Sequence, residues 1–189
     1  MYRITGKIKG VAPLLFNRML EDELEPSNVK GKGRVPVKTR IEEAKRRIYR
    51  DEQGLYLPGW NFKQCLLEGC KRSGLKEGRR SLVSYLEASV FPDRRLYFGK
   101  DDFDFLHEHW GRRPPRTGGA CIIRRPALEE GWELSFGLNV IDDRRSPAEI
   151  RRSLDEGGLL VGLGSWRPEY GRFMVIEWNV EGGDSNEQG

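Results

Sequence analysis

The stretch GLGSWRPEYGRF, from Gly162 to Phe173, constrains the fold more than any other part of the chain. The apolar run Leu159-Leu160-Val161 leads into it, and FMVIEW leads out. Three glycines and a proline do not continue a helix or a strand interior, so the chain must turn here between two segments that both seek burial. Glycine lets the backbone reach positive φ or approach another backbone closely. Successive N–H groups in such a turn can face an anion. Arg167 and Arg172 add charge, and Trp166 and Tyr170 add flat faces for stacking. The same spacing also fits a purely structural connection with its aromatics in the core.

The segments around the turn have readable periods. In RRSPAEIRRSLDEGG, Ser146 stands as N-cap, Pro147 at the first helical position and Glu149 at the third, a capping box. Ile150 and Leu154 mark the buried side of this helix, and Gly157-Gly158 is expected to end it. Upstream, ACIIRRPAL reads as a strand. WELSFGLNVI alternates Trp132, Leu134, Phe136, Leu138 and Val140 and predicts a second strand. At the N-terminus, YRITGKIKG also has period 2. Tyr2, Ile4, Gly6 and Ile8 share one face, and Arg3, Thr5, Lys7 and Lys9 share the other, which is basic. Such a row either offers cations to a ligand or protects an edge strand from aggregation.

LYLPGWNFKQCLLEGCKRSG reads as strand, turn and helix. Leu55 to Leu57 is extended, Pro58-Gly59 turns the chain, and Asn61 is the expected N-cap. Phe62, Cys65, Leu66, Gly69 and Cys70 follow the spacing of a buried helical stripe, which Gly74 closes. KTRIEEAKRRIYRD predicts a short amphipathic helix, SLVSYLEASVF a helix running into a strand that ends at Pro92, and RRLYFG a strand. Residues 21–38 read as a long loop. DDFDFLHEHWGRRPPRTGG reads as an excursion carrying both histidines, His107 and His109. The polar EGGDSNEQG reads as a disordered tail over 181–189. The skeleton is βαββαβ. We therefore expect an α+β, ferredoxin-like (RRM-like) domain over 1–180, with an antiparallel sheet and insertions at about 18–50 and 92–118. The open face of such a sheet is a common RNA platform.

Net charge is only +4, but arginine recurs in pairs: KRRIYR, GRRSL, GRRPPR, IIRRPA, DDRR and IRRS. Arginine binds phosphate bidentately and stacks on bases, so this clustering suits a nucleic-acid partner, although it also suits a solvated surface offset by 29 acids. No apolar run is long enough for a membrane helix, and MYRITGKIKG lacks a signal-peptide core, so a cytoplasmic protein without a membrane partner is expected. Cys65, Cys70 and Cys121 then read as reduced core thiols.

The pair LYLPGWNFKQCLLEG and GLGSWRPEYGRFMV resembles the RAMP superfamily, the ferredoxin-like RNA-binding proteins of CRISPR effector complexes. More narrowly, IIRRPAL, GWELSF and GGLLVGLGSWRPEYGRF resemble a small family of phage and prophage proteins. The resemblance spans about residues 54–74 and 119–178. It implies that a glycine-rich loop abuts an RNA backbone, a role falling on Gly162, Gly164, Arg167, Gly171 and Arg172, with Lys63 near phosphate. Trp166 and Tyr170 would stack, and Arg3, Lys7 and Lys9 would extend the surface across the sheet. The implied partner is RNA or another single strand, bound by a homo-oligomer or multi-subunit complex.

Two other functions fit the sequence. One is a structural or assembly protein without nucleic acid. The other is a metal-independent RNA endonuclease in which His107 or His109 acts as general base. No cofactor is expected. The glycine turn follows a helix and precedes a strand, the reverse of a dinucleotide fingerprint, and Walker A, H-E-x-x-H and G-x-S-x-G patterns are absent. His107-x-His109 has no third ligand nearby in sequence, so no metal site is expected.

Overall fold

The computed structural model of the chain describes residues 1–19, 37–77, 80–112 and 120–182, with side chains excepted at 37–39, 77, 80, 81, 112 and 121. Its elements in chain order are β1 (Tyr2–Gly10), β2 (Leu14–Leu15), α1 (Val37–Arg46), β3 (Arg50–Asp51), β4 (Gly54–Pro58) and α2 (Gly59–Ser73). Next come β5 (Lys76–Glu77), β6 (Arg80–Ser81), α3 (Val83–Ser89), β7 (Val90–Pro92), β8 (Arg95–Tyr97) and β9 (Phe105–Arg112). The chain continues with β10 (Ala120–Leu128), β11 (Glu133–Val140), α4 (Pro147–Leu160) and β12 (Phe173–Glu181).

The main sheet has the order β12-β1-β11-β7, and every neighbouring pair is antiparallel. With α2 between β1 and β7, and α4 between β11 and β12, this is the ferredoxin-like arrangement, α+β as expected. Register follows the alternation. Ile4 faces Leu138 and Ile8 faces Leu134, all fully buried, so one face of the sheet is core and the other is open. Phe62 of α2 stacks on Phe136 of β11, with ring centroids 5.0 Å apart. Cys65, Leu66 and Cys70 complete the buried stripe of α2, and Ile150 and Leu154 that of α4.

Two helix boundaries differ from expectation. Helix α2 begins at Gly59 with Pro58 as N-cap, so Asn61 lies in the first turn rather than capping it. Gly59 must start the helix in close quarters, because a Cβ there would meet the backbone carbonyl of Asp93. Helix α4 does not end at Gly157-Gly158 but runs on to Leu160. These glycines are contact points: a Cβ on Gly157 would lie 2.8 Å from the Cys65 carbonyl oxygen, and one on Gly158 would meet Phe173. Packing against α2 and β12 outweighs the helix-breaking tendency of glycine. The capping box at Ser146 forms as expected, with the Glu149 carboxylate accepting from the Ser146 N–H at 3.1 Å.

The 92–118 excursion carries strands β8 and β9. Strand β9 pairs with β10, and β2 joins the other side of β10 to make a second, three-stranded sheet. A third small sheet, β3-β4-β8, lies beside β11. Of the expected 21–38 loop, residues 21–36 lie outside the described residues, while Val37 and Lys38 begin α1. Of the expected 181–189 tail, Glu181 ends β12 instead, and 183–189 lie outside the described residues. Cys65 and Cys70 are buried free thiols. Among the described residues, no helix is long and apolar enough to cross a membrane.

Candidate functional site

The glycine turn is built by its own backbone and by β2. The Gly162 N–H donates to the Gly157 carbonyl at 2.8 Å, and the Leu163 N–H to the Gly171 carbonyl at 2.8 Å. The Ser165 N–H reaches the Leu15 carbonyl at 2.9 Å, and the Gly171 N–H the Pro13 carbonyl at 2.8 Å. These four donors therefore bind protein, not an anion. Glycine is required at Gly164 and Gly171, with φ of 74° and 73°. A Cβ on Gly164 would lie 2.5 Å from the Leu15 carbonyl oxygen, and one on Gly171 would strike the Leu163 carbonyl. Gly162, at φ 78°, is buried beneath Tyr170. The glycines shape the turn, and its side chains are left to meet a ligand.

Those side chains divide cleanly. Arg167, Glu169 and Arg172 are exposed, while Trp166 and Tyr170 are half-buried. Trp166 has φ 55°, and the Arg167–Pro168 peptide is cis. Trp166 packs against both histidines, edge-on, with centroids 5.7 Å from His107 and 4.7 Å from His109. Tyr170 lies 5.1 Å from His107, and its hydroxyl is 3.4 Å from His107 Nε2. Arg125, opposite His107 in the β9–β10 register, holds its guanidinium 6.0 Å from the Trp166 ring. The hairpin from the excursion thus brings the chain's two histidines onto the turn. The alternation of Phe105, His107 and His109 marks the strand in the sequence, but nothing there says which element it faces.

Two clefts flank Gly164, Ser165 and Arg167, which line both. One, of about 220 Å³, is closed by Phe16, Asn17, Tyr49, Leu57, Trp60 and Asn61. The other, of about 560 Å³, runs past Glu68, Arg72, Leu160, Trp166 and Pro168. The turn is therefore a ridge with Arg167 on its crest. The walls of the smaller cleft come from sequence-distant segments, so no local sequence signal marks it. Arg167 also lies near the buried Cys65 thiol. Burial pushes that thiol up to about 12, an effect only partly offset by Arg167 and by the Gly162 N–H.

The other basic residues are not gathered here. Arg3 donates to Asp93 Oδ2 at 2.7 Å and to Asn139 Oδ1 at 2.7 Å. Lys7 lies 3.3 Å from Glu177 and 3.6 Å from Glu133. The row of cations on β1 is met by acids from β11, β12 and the β7–β8 connection, so the open sheet face is of mixed charge. Lys9, exposed, sits near the β12 end where Arg172 lies, since the Val11 N–H donates to the Arg172 carbonyl at 2.9 Å. Lys63 points toward α3. It donates to the Glu87 carbonyl at 2.6 Å and covers the Phe91 ring at 4.4 Å, and burial lowers its pKa.

No protein-family model matches the chain, and no curated protein matches it. Among solved structures, it is similar to a chain of a type III-B Cmr-beta complex bound to cognate target RNA, with a TM-score of 0.55 and 12% identity. The match covers 95% of this chain and 60% of that one, so this chain spans about three fifths of its neighbour's length. The likeness is one of fold alone.

Proposed function

We propose that the protein binds single-stranded nucleic acid, RNA foremost, along the ridge of the glycine turn. The observation that carries this reading is the place of Arg167, exposed on a crest between two clefts, with the Trp166 indole beside it. A strand crossing the crest meets a guanidinium suited to phosphate and aromatic faces suited to bases. Arg172 and Lys9 extend the cationic path toward the end of the main sheet. Arg3, Lys7 and Lys63, which already hold protein partners, contribute less. The likeness to a chain of an RNA-bound, multi-subunit complex supports both an RNA partner and a role as one subunit among several.

The test is fluorescence anisotropy with labelled single-stranded RNA, single-stranded DNA and duplex, at two salt concentrations. Wild type is expected to bind the single strand with log K falling by roughly 0.7 per phosphate neutralised for each tenfold rise in salt. Arg167→Ala/Arg172→Ala is expected to lose that binding. Binding that ignores salt, or that the double variant retains, overturns the reading.

A second reading rests on the meeting of His107 with the Tyr170 hydroxyl at the ridge. A histidine there, with Arg125 close by, is placed as a general base toward a 2′-hydroxyl of a bound strand. Incubation with RNA is then expected to yield 2′,3′-cyclic phosphate ends that His107→Ala abolishes. RNA left uncut by wild type removes this reading and leaves the first standing.

A further inference from the structure

The smaller cleft has the composition of a site for one planar heterocycle. Its floor is apolar and fully packed, with Phe16 and Leu57 almost completely buried. One wall is Trp60, an indole 63% exposed in the first turn of α2. A large aromatic left this open beside a packed apolar floor offers a contact surface, as Trp110 also does elsewhere at 72% exposure. The half-buried ring of Tyr49 also lines the cleft. Two carboxamides, Asn17 and Asn61, and the Ser165 hydroxyl complete the lining. Among the described residues, no carboxylate lines the cavity. The rim is cationic: Arg167 lines it, Arg47 Nη1 lies 3.4 Å from Asn17 Oδ1, and the Arg18 guanidinium sits 5.9 Å from the Tyr49 ring. A volume of about 220 Å³ falls below the roughly 300–1,000 Å³ of pockets for drug-sized ligands. It suits a single ring system.

We infer that this cleft is a nucleobase pocket that takes one unstacked purine, adenine by preference, between Trp60 and Tyr49, with its edge read by Asn17 and Asn61. Stacking supplies affinity without sequence information, since every base has a π-face. The carboxamides supply the choice, because an Asn side chain matches the donor–acceptor pair on adenine N6 and N7. Arg47 Nη1 donates to Asn17 Oδ1, so Asn17 would serve the base as a donor through its NH₂, and Asn61 would supply the acceptor for adenine N6. The flanking phosphates fall on the rim, where Arg167 also serves the ridge. The inference rests on the strand-binding reading and deepens it: the turn holds the backbone, and the pocket draws one base out of the stack.

Two measurements separate the fate of the pocket from that of the ridge. The first is ligand-observed saturation-transfer NMR with 5′-AMP, 5′-UMP and ribose 5-phosphate on the full chain. Signal is expected on adenine H2 and H8, more weakly on uracil, and not on ribose 5-phosphate. Trp60→Ala is expected to abolish it, and Trp60→Phe to retain it. The second is anisotropy with an oligoadenylate and an abasic strand of equal length. Trp60→Ala is expected to weaken the oligoadenylate by about 5- to 150-fold, the span that loss of a stacking aromatic gives, and to leave the abasic strand unchanged. Asn61→Leu is expected to remove the preference of adenine over uracil. Trp60 is exposed, so both Trp60 variants should keep the wild-type melting temperature. If AMP shows no Trp60-dependent signal and the two strands respond alike to Trp60→Ala, the pocket is refuted while the ridge stands. If AMP binds through Trp60 but no strand binds, the pocket stands and the strand-binding reading falls.

Discussion

Gly69 of α2 and Gly157 of α4 meet where the two helices cross: a Cβ on Gly69 would stand 2.6 Å from the Gly157 Cα. The contact lets the helices approach at backbone distance and sets the height at which α4 delivers the chain into the glycine turn. A methyl group here meets backbone, which cannot rotate away. Gly69→Ala is therefore expected to cost about 1–3 kcal/mol or more by overpacking. Urea denaturation of the variant checks this. A midpoint equal to that of wild type would mean the helices have room to part.

The His107 and His109 contacts give Trp166 a positioning role. Trp166→Ala removes ring contacts with both histidines and with Tyr170. Aromatic pairs contribute about 0.5–1.5 kcal/mol each beyond buried area. The variant is expected to stay folded, to lose about 1–3 kcal/mol of stability, and to exchange its β9 amides faster. Hydrogen exchange read by mass spectrometry decides it. Unchanged protection in 105–111 would show that the hairpin is held without the indole.

Burial raises the Cys65 thiol to about 12 and also raises Cys70, Tyr2 and Tyr85. Each is neutral when protonated, so the folded state keeps protons that the unfolded chain gives up first. The unfolded state then binds fewer protons, and stability must fall as pH rises. The contribution of Cys65 is complete below pH 9, its ordinary value, and is lost between there and about 12. Unfolding free energy is expected to drop above pH 9 by at most about 1.4 kcal/mol per pH unit for each group. Cys65→Ala should flatten that slope. Native Cys65 should resist iodoacetamide until the chain unfolds.

The ion pairs of Arg3 and Lys7 with Asp93, Glu177 and Glu133 separate the sheet face from the ridge. Lys7→Ala removes two surface ion pairs, each of small worth. It is expected to change single-strand affinity by less than about twofold, whereas Arg167→Ala reduces both affinity and salt slope. A matching loss in Lys7→Ala would move the binding surface onto the open sheet.

The sequence by itself determined the elements of the main sheet and its two long helices, with their inner faces, but not strand β9, which forms inside what reads as an excursion. Period 2 in β1 and β11, the i, i+3, i+4 stripe of α2 and the capping box at Ser146 are local signals. The side chains that carry them lie within a few residues of one another, so they specify the ferredoxin-like order without knowledge of distant contacts. The same locality explains what stayed hidden. Gly157-Gly158 looked like a helix end because its reason for being glycine is Cys65 and Phe173, far along the chain. Lys7 looked like an offered cation because Glu177 arrives only when β12 pairs with β1. His107 and Trp166 lie in separate elements that only the β9–β10 hairpin brings together, and Trp60, Tyr49 and Asn17 form a pocket only after α2, β2 and the turn have packed. Local periodicity fixes what each segment becomes. Which charges are neutralised, which rings meet and where a cavity remains open are set by long-range packing, because those energies depend on distances that exist only in the folded chain.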